Sequence, residues 1–337
     1  MEAHETLADR TPIRIIVVGA GRMGCNHIRV VQTLTDFQLV GIVEPNPAYL
    51  MKSGVSFSCP IYKMVSDVPA DLYEAAILAA PNHFHLELGS MLVQSGKDLL
   101  VEKPVASSVA DGHALITLAE ETGVKLAVGY IERFNPAVLK LKQVIESGYL
   151  GTPIHFSCTR VGGYPADAGR GNNVLLDLAV HDIDVLSLLC GHMQCVGSVC
   201  HASVNPGVLD TAEILLKAAD NTASASVHVN WITPTKIRSL RVTGSGGVAL
   251  IDYMLQTCVL FGGDISRTRV EPQLTYAELI ETYKTPDKIE FQVRRSEPLR
   301  GELEHFAKLI RGEPSLSCLG PHALYSLRLA EEVFSHV

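Results

Sequence analysis

Hydrophobic and polar positions follow two rhythms along the chain. In the first third, short apolar runs, IRIIVV (13–18), FQLVGIVE (37–44), YEAAILAA (73–80), DLLV (98–101) and KLAVGY (125–130), alternate with helix-spaced stretches over 25–34, 85–96 and 107–122. Runs without polar alternation suit strands buried on both faces, and strand–helix alternation of this length predicts a doubly wound parallel sheet. After a helix around 137–147, the strands IHFSCTRV (154–161), AEILLKAA (212–219), TASASVHVNWI (222–232), KIRSLRVTGS (236–245) and VALIDY (248–253) follow at short intervals, with turn residues such as ADNT and GSGG between them. That rhythm predicts a large, mostly antiparallel sheet with the segment 175–189 crossing one face as a helix. Helices return at 299–311 and 320–335. The expected architecture is α/β: an N-terminal Rossmann domain over 1–133 and an α+β domain for substrate binding and oligomerisation over 134–337.

Composition narrows the function. A chain of 337 residues, 47% hydrophobic and 19% charged, predicts two packed domains with apolar surface left for self-association. A homo-oligomer, a dimer or tetramer paired through the C-terminal sheet, is expected. The formal charge of -8 offers nucleic acid no attraction. The start MEAHETLADRTP lacks a basic n-region and an apolar h-region, and no apolar run approaches the roughly 18 residues of a membrane span, so a cytoplasmic protein is expected. Cysteines gather only in CGHMQCVGSVCH (190–201), without C-x-x-C spacing, and read as core thiols rather than a zinc site.

Two motifs carry chemistry. GAGRMG places glycines at 19, 21 and 24 between a strand and a helix, and Glu44 ends the second strand. Glycines there allow a tight turn, a close approach of pyrophosphate to backbone, and helix–strand packing. A carboxylate at Glu44 accepts ribose hydroxyls and repels a 2′-phosphate, which favours NAD over NADP. In LLDLAVHDID (175–184), Asp177, His181 and Asp184 fall on one face of an α-helix and Asp182 on another. The stripe admits a metal site, proton transfer or a satisfied polar pair.

The order strand, GAGRMG, APNHFH, GKDLLVEKP, then DLAVH within a β-rich half resembles the Gfo/Idh/MocA oxidoreductase family over nearly the whole chain. The resemblance implies a catalytic group of Lys103, Asp177 and His181 and a cis bond before Pro104. It also implies NAD contacts from Gly19, Gly21, Arg22, Met23, Gly24, Glu44, Ala80, Pro81, Asn82, His85, Glu102 and Lys103. Imidazole suits proton removal from an alcohol near neutral pH, Asp177 orients the ring or the substrate, and Lys103 stabilises alkoxide. Asp184 is expected to be structural. No metal is needed for hydride transfer, and none is expected.

VGYIERFNPAV (128–138), TRVGGYP (159–165) and VLLDLAVHDID further resemble the branch that oxidises UDP-N-acetylglucosamine at C3, whose 3-keto sugar nucleotide feeds an aminotransferase for lipid A. On that reading the substrate residues are Lys103, Arg133, Arg160, Tyr164, Asn173, Asp177 and His181. The two arginines are expected in loops, where they face pyrophosphate. The alternatives are a free sugar or inositol dehydrogenase of the same family and, in another class, a dinucleotide-binding regulator without turnover.

Overall fold

The computed structural model of the chain describes residues 11–165, 168–169, 172–262 and 288–335; the polar start read above lies almost wholly outside them. The chain forms two compact units. The first takes in the chain up to Ile131 and Glu297–Leu324, the second Glu132–Ser296 and the chain from Tyr325. The first crossing thus falls near the expected residue 133, but 134–337 is not one continuous domain. The helix Pro298–Ile310 belongs to the first unit because its apolar stripe, Leu299, Leu303, Phe306 and Ala307, joins the core of Ile15, Val17, Ile28, Ile42 and Ile77. Ring stacking of Phe306 on Phe37, with centroids 6.3 Å apart, marks the contact. Arg29–Glu297 and Arg311–Asp36 ion pairs tie down the two ends of that helix.

In chain order the first unit contains β1 (Ile13–Val18), α1 (Arg22–Val31), β2 (Phe37–Val43), α2 (Ala48–Lys52), β3 (Ile61–Tyr62), β4 (Ala75–Leu78), α3 (His85–Gln94), β5 (Asp98–Glu102), α4 (Val109–Thr122) and β6 (Leu126–Gly129). The sheet order is β6-β5-β4-β1-β2-β3, all parallel, with the short strand Cys318–Leu319 added antiparallel beside β6. Ile15, Ile16 and Val17 are completely buried, as a strand covered on both faces requires. Each such side chain contributes roughly 1.5–3 kcal/mol of burial. Reversal of strand order beside β1 puts the glycine turn at the carboxyl end of the sheet, the usual ligand crevice of such folds.

The second unit contains α5 (Pro136–Glu146), β7 (Pro153–Val161), α6 (Val180–Cys190), β8 (Met193–His201), β9 (Thr211–Ala218), β10 (Ser224–Asn230), β11 (Ile237–Gly244), β12 (Gly247–Asp252), β13 (Thr257–Gly262) and β14 (Lys288–Phe291). Its sheet runs β14-β13-β12-β11-β7-β10-β9-β8, antiparallel throughout except for the β7–β10 pair. On β9, Ala212, Ile214 and Leu216 are buried while Glu213, Leu215 and Lys217 are exposed. α5 packs on β12 and β13, and α6 on β7. The segment expected as one helix over 175–189 divides: Leu175–Ala179 is a π-turn packed on β10, and α6 proper begins at Val180. Among the described residues no helix is long and apolar enough to cross a membrane.

Candidate active site

In the first unit, β1 is followed by Gly19, whose φ of +90° suits only glycine; an added Cβ would lie 2.6 Å from Ala80 N. At Gly24 a Cβ would lie 1.9 Å from the Gly19 carbonyl oxygen, so the glycine lets α1 pack on the turn. At Gly21, the N-cap of α1, it would meet nothing within 4 Å. No side chain caps this helix and no acid sits in its first turn, which leaves the N–H groups at the dipole's positive end to an anion. Glu44 accepts from Ala20 N at 2.7 Å and from Asn46 N at 2.9 Å, and so stands beside the glycine turn. This cradle fits a dinucleotide: Gly21, Arg22 and Met23 would hold its pyrophosphate and Glu44 a ribose.

His85, 1% exposed, joins the two other motifs of the unit. Its Nε2 lies 2.9 Å from the Ala80 carbonyl oxygen and its Nδ1 3.0 Å from that of Pro104. A neutral imidazole donates from one nitrogen only, so the ring hydrogen-bonds one of these two carbonyls and packs between the Ala80-Pro81-Asn82 turn and the bend after β5. Burial holds its pKa below the usual 6.5 despite these carbonyls. The Lys103–Pro104 bond is cis. Glu102, buried at the end of β5, meets His27 Nε2 at 2.6 Å and accepts weakly from Lys103 N at 3.3 Å.

Glu302, from the returning helix, completes a buried group with His27 and Glu102 in which one ligand-type atom from each lies within 4.8 Å of the others. The 2.6 Å spacing of His27 Nε2 and Glu102 Oε1 is a hydrogen-bond length. The sequence reading did not single out His27 or Glu302. Each sits inside an amphipathic helix, and only the third dimension joins them.

In the second unit the ionisable groups of LLDLAVHDID separate into two kinds. Asp182 and Asp184 are both 0% exposed. Arg160 donates to Asp182 at 2.8 and 3.2 Å and to Glu132 at 2.8 Å, while Arg133 holds Asp184 through two bonds of 2.7 Å. Burial works against the Arg160 charge, but Asp182 and Glu132 facing it keep its pKa well above the usual value. Asp177 and His181 are only half-buried. Asp177 Oδ2 accepts from the Trp231 indole Nε1 at 3.0 Å.

Three substrate expectations need correction. Arg160 lies within strand β7 and Arg133 in a 3-10 turn, Ile131–Phe134, rather than in open loops. At 4% and 5% exposure both guanidinium groups are committed to carboxylates of their own unit, which rules them out as ready phosphate ligands. Asn173 uses its side-chain oxygen to cap the π-turn, accepting from Leu175 N at 2.9 Å and Leu176 N at 3.1 Å. Tyr164 is 39% exposed and meets the Trp231 ring edge-on at 5.6 Å, its hydroxyl accepting from Asn205. The Asp177–His181–Asp184 stripe is also broken, because the π-turn changes the register before His181 and Arg133 takes Asp184.

Cys190, Cys195 and Cys200 are half-buried thiols, and burial pushes Cys190 up to about 12.

A family model described as "Oxidoreductase family, NAD-binding Rossmann fold" matches residues 13–130, and the C-terminal model of the same family matches 138–250. The chain is 22% identical over 329 residues to inositol 2-dehydrogenase of Rhizobium meliloti, covering 95% of each chain. It is 24% identical over 253 residues to UDP-N-acetylglucosamine 3-dehydrogenase of Acidithiobacillus ferrooxidans, covering 74% of this chain and 77% of the relative. The solved structure of that second relative superposes with a TM-score of 0.81 at 22% identity, over 97% of this chain and 98% of the other. Two domains matched in the family's order, with the glycine turn where its NAD-binding domain requires it, lead to one conclusion: the chain belongs to the Gfo/Idh/MocA family of oxidoreductases and is an NAD-dependent dehydrogenase.

Proposed function

We propose that the protein oxidises a secondary alcohol on a sugar or polyol ring, and that Lys103, Asp177 and His181 do the proton chemistry. One observation supports this most: of the four ionisable groups in 175–184, arginines bury two, and the two left half-exposed, Asp177 and His181, are those an acid–base reaction needs. His181 accepts the hydroxyl proton as the C–O bond becomes a carbonyl. Asp177 stabilises the imidazolium that forms, and Lys103 stabilises developing negative charge on the substrate oxygen. Bound NAD would supply the hydride acceptor for this oxidation. Gly19, Gly21, Arg22, Met23, Gly24 and Glu44 would hold its adenosine diphosphate part, and Ala80, Pro81, Asn82, His85, Glu102 and Lys103 would contact its nicotinamide part. Replacing His181 by Ala is expected to leave NAD affinity intact and to lower turnover about a hundredfold. Unchanged turnover would refute the assignment.

For the substrate we propose C3 of UDP-N-acetylglucosamine, giving a 3-keto sugar nucleotide for an aminotransferase of lipid A synthesis, in the cytoplasm. The relative of that name and the TRVGGYP and DLAVH segments support it. Inositol is the second reading, favoured by the burial of Arg133 and Arg160 in internal ion pairs, which removes two phosphate donors. NADH formation with UDP-N-acetylglucosamine against free myo-inositol separates the two. We further propose a homo-oligomer paired through the outer face of the second sheet, where Val196, Val199, Leu215 and Leu250 are exposed.

A further inference from the structure

The indole of Trp231 is aimed at one of the two half-exposed groups just assigned to catalysis. It is 1% exposed, immediately follows β10, and donates to Asp177 Oδ2 at 3.0 Å. Indole N–H is a donor that neither accepts nor titrates, so it favours the ionised carboxylate over the acid at every working pH. Both ends of this contact are fixed to consecutive residues of one loop. Trp231 N donates to the Asp210 carbonyl oxygen at 2.9 Å, and Val174 N, at the start of the π-turn, donates to that of Leu209 at 3.0 Å.

The loop itself is held by the buried Asp210 carboxylate, which accepts from Ser203 N at 2.7 Å and Val204 N at 2.8 Å. The donor is therefore in place before any ligand arrives. The π-turn completes the arrangement, since its wider turn takes Asp177 out of α-helical register with α6 and toward β10. Arg238 on β11, whose guanidinium donates to the Gly162 carbonyl oxygen, feels the charge of Asp177 as well as those of Arg160, Asp182 and Glu132, and His181 follows Asp177 one turn along.

We propose that Trp231 is a positioning residue of the dehydrogenase: its N–H fixes the orientation of Asp177 and keeps it ionised as the partner of His181. The proposal rests on the catalytic reading of Asp177 and His181. Trp231→Phe keeps an aromatic ring against Tyr164, removes the donor and gives up some buried volume. With UDP-N-acetylglucosamine and myo-inositol as probes, the variant is expected to lose about tenfold in kcat, the low range for a bond to a charged group, with KM and NAD affinity unchanged.

Its acidic kcat limb should move to higher pH, and Trp231→Phe/Asp177→Asn should be no slower than Asp177→Asn alone. Because Trp231 is the one tryptophan of the sequence, intrinsic emission reports this bond without substrate. Asp177→Asn should shift the emission maximum and remove its acid titration. Identical emission in wild type and Asp177→Asn, or a Trp231→Phe loss that adds fully to that of Asp177→Asn, would overturn the proposal. Full turnover in Asp177→Asn would instead overturn the catalytic reading on which it rests.

Discussion

β1 of the first unit reads IRIIVV, with Ile15, Ile16 and Val17 wholly buried, whereas β9 of the second reads TAEILLKA, with every second residue turned outward. A sheet covered on both faces has no room for polar chemistry along its strands. The groups proposed for cofactor binding and catalysis collect at strand ends: the glycine turn after β1, Glu44 after β2, and Glu102 and Lys103 at the end of β5. A sheet covered on one face holds a helix against that face instead. Arg160, on the covered side of β7, reaches Asp182 on α6, so the element carrying His181 is tied to the sheet by charge as well as packing. The first design places a cofactor at an edge; the second anchors a helix by its hidden face and leaves the other sheet face available.

Arg160→Ala is the most severe way to break the second arrangement. It leaves Asp182 and Glu132 without their arginine and is expected to cost about 3–5 kcal/mol in chemical denaturation, while Arg160→Met with Asp182→Leu and Glu132→Gln, which removes all three charges, should recover most of that loss. Recovery no better than the single variant would mean that α6 is not held through these charges.

In the first unit a smaller, pH-dependent change is expected from His85. Its folded pKa lies below the unfolded value near 6.5, so the unfolded chain binds the proton first. The stability this histidine contributes while neutral is complete above about pH 6.5 and is lost as pH falls from there toward its folded pKa. Urea midpoints of wild type should therefore drop more steeply between about pH 7 and 5 than those of His85→Asn. His305, lowered for the same reason of burial, acts with the same sign and stays as a common background. Parallel curves would show that His85 does not titrate over this range.

Leu215→Lys, on the open face of β9, should change the monomer's unfolding free energy by no more than about 0.5 kcal/mol. Sedimentation should nevertheless show a smaller species if this face pairs subunits. An unchanged sedimentation coefficient would remove the assembly role of the face and narrow the contrast between the two sheets to their covered sides.

Local pattern was enough for much of this. Apolar runs without alternation announced the parallel sheet, alternation announced the antiparallel one, and G-x-G-x-x-G at a strand–helix junction announced the dinucleotide cradle, because each signal depends on neighbours within one element. β13 and β14 were missed, since neither TCVLFG nor KIEF is long or alternating enough to stand out. Trp231 had one available signal, a lone indole at the end of a strand pattern that needs a partner for its N–H.

Tertiary structure alone decided the rest. Arg133 and Arg160 look like phosphate ligands in sequence because any arginine near a domain junction does, and only packing shows that Asp184, Asp182 and Glu132 already neutralise them. The same packing returns Pro298–Ile310 to the first unit and brings Glu302 to His27 and Glu102 across some 200 to 275 residues of chain. Periodicity sets which face of an element is apolar, and that is a property of the sequence. Which charge meets which is a matter of desolvation, settled only when distant elements exclude water together.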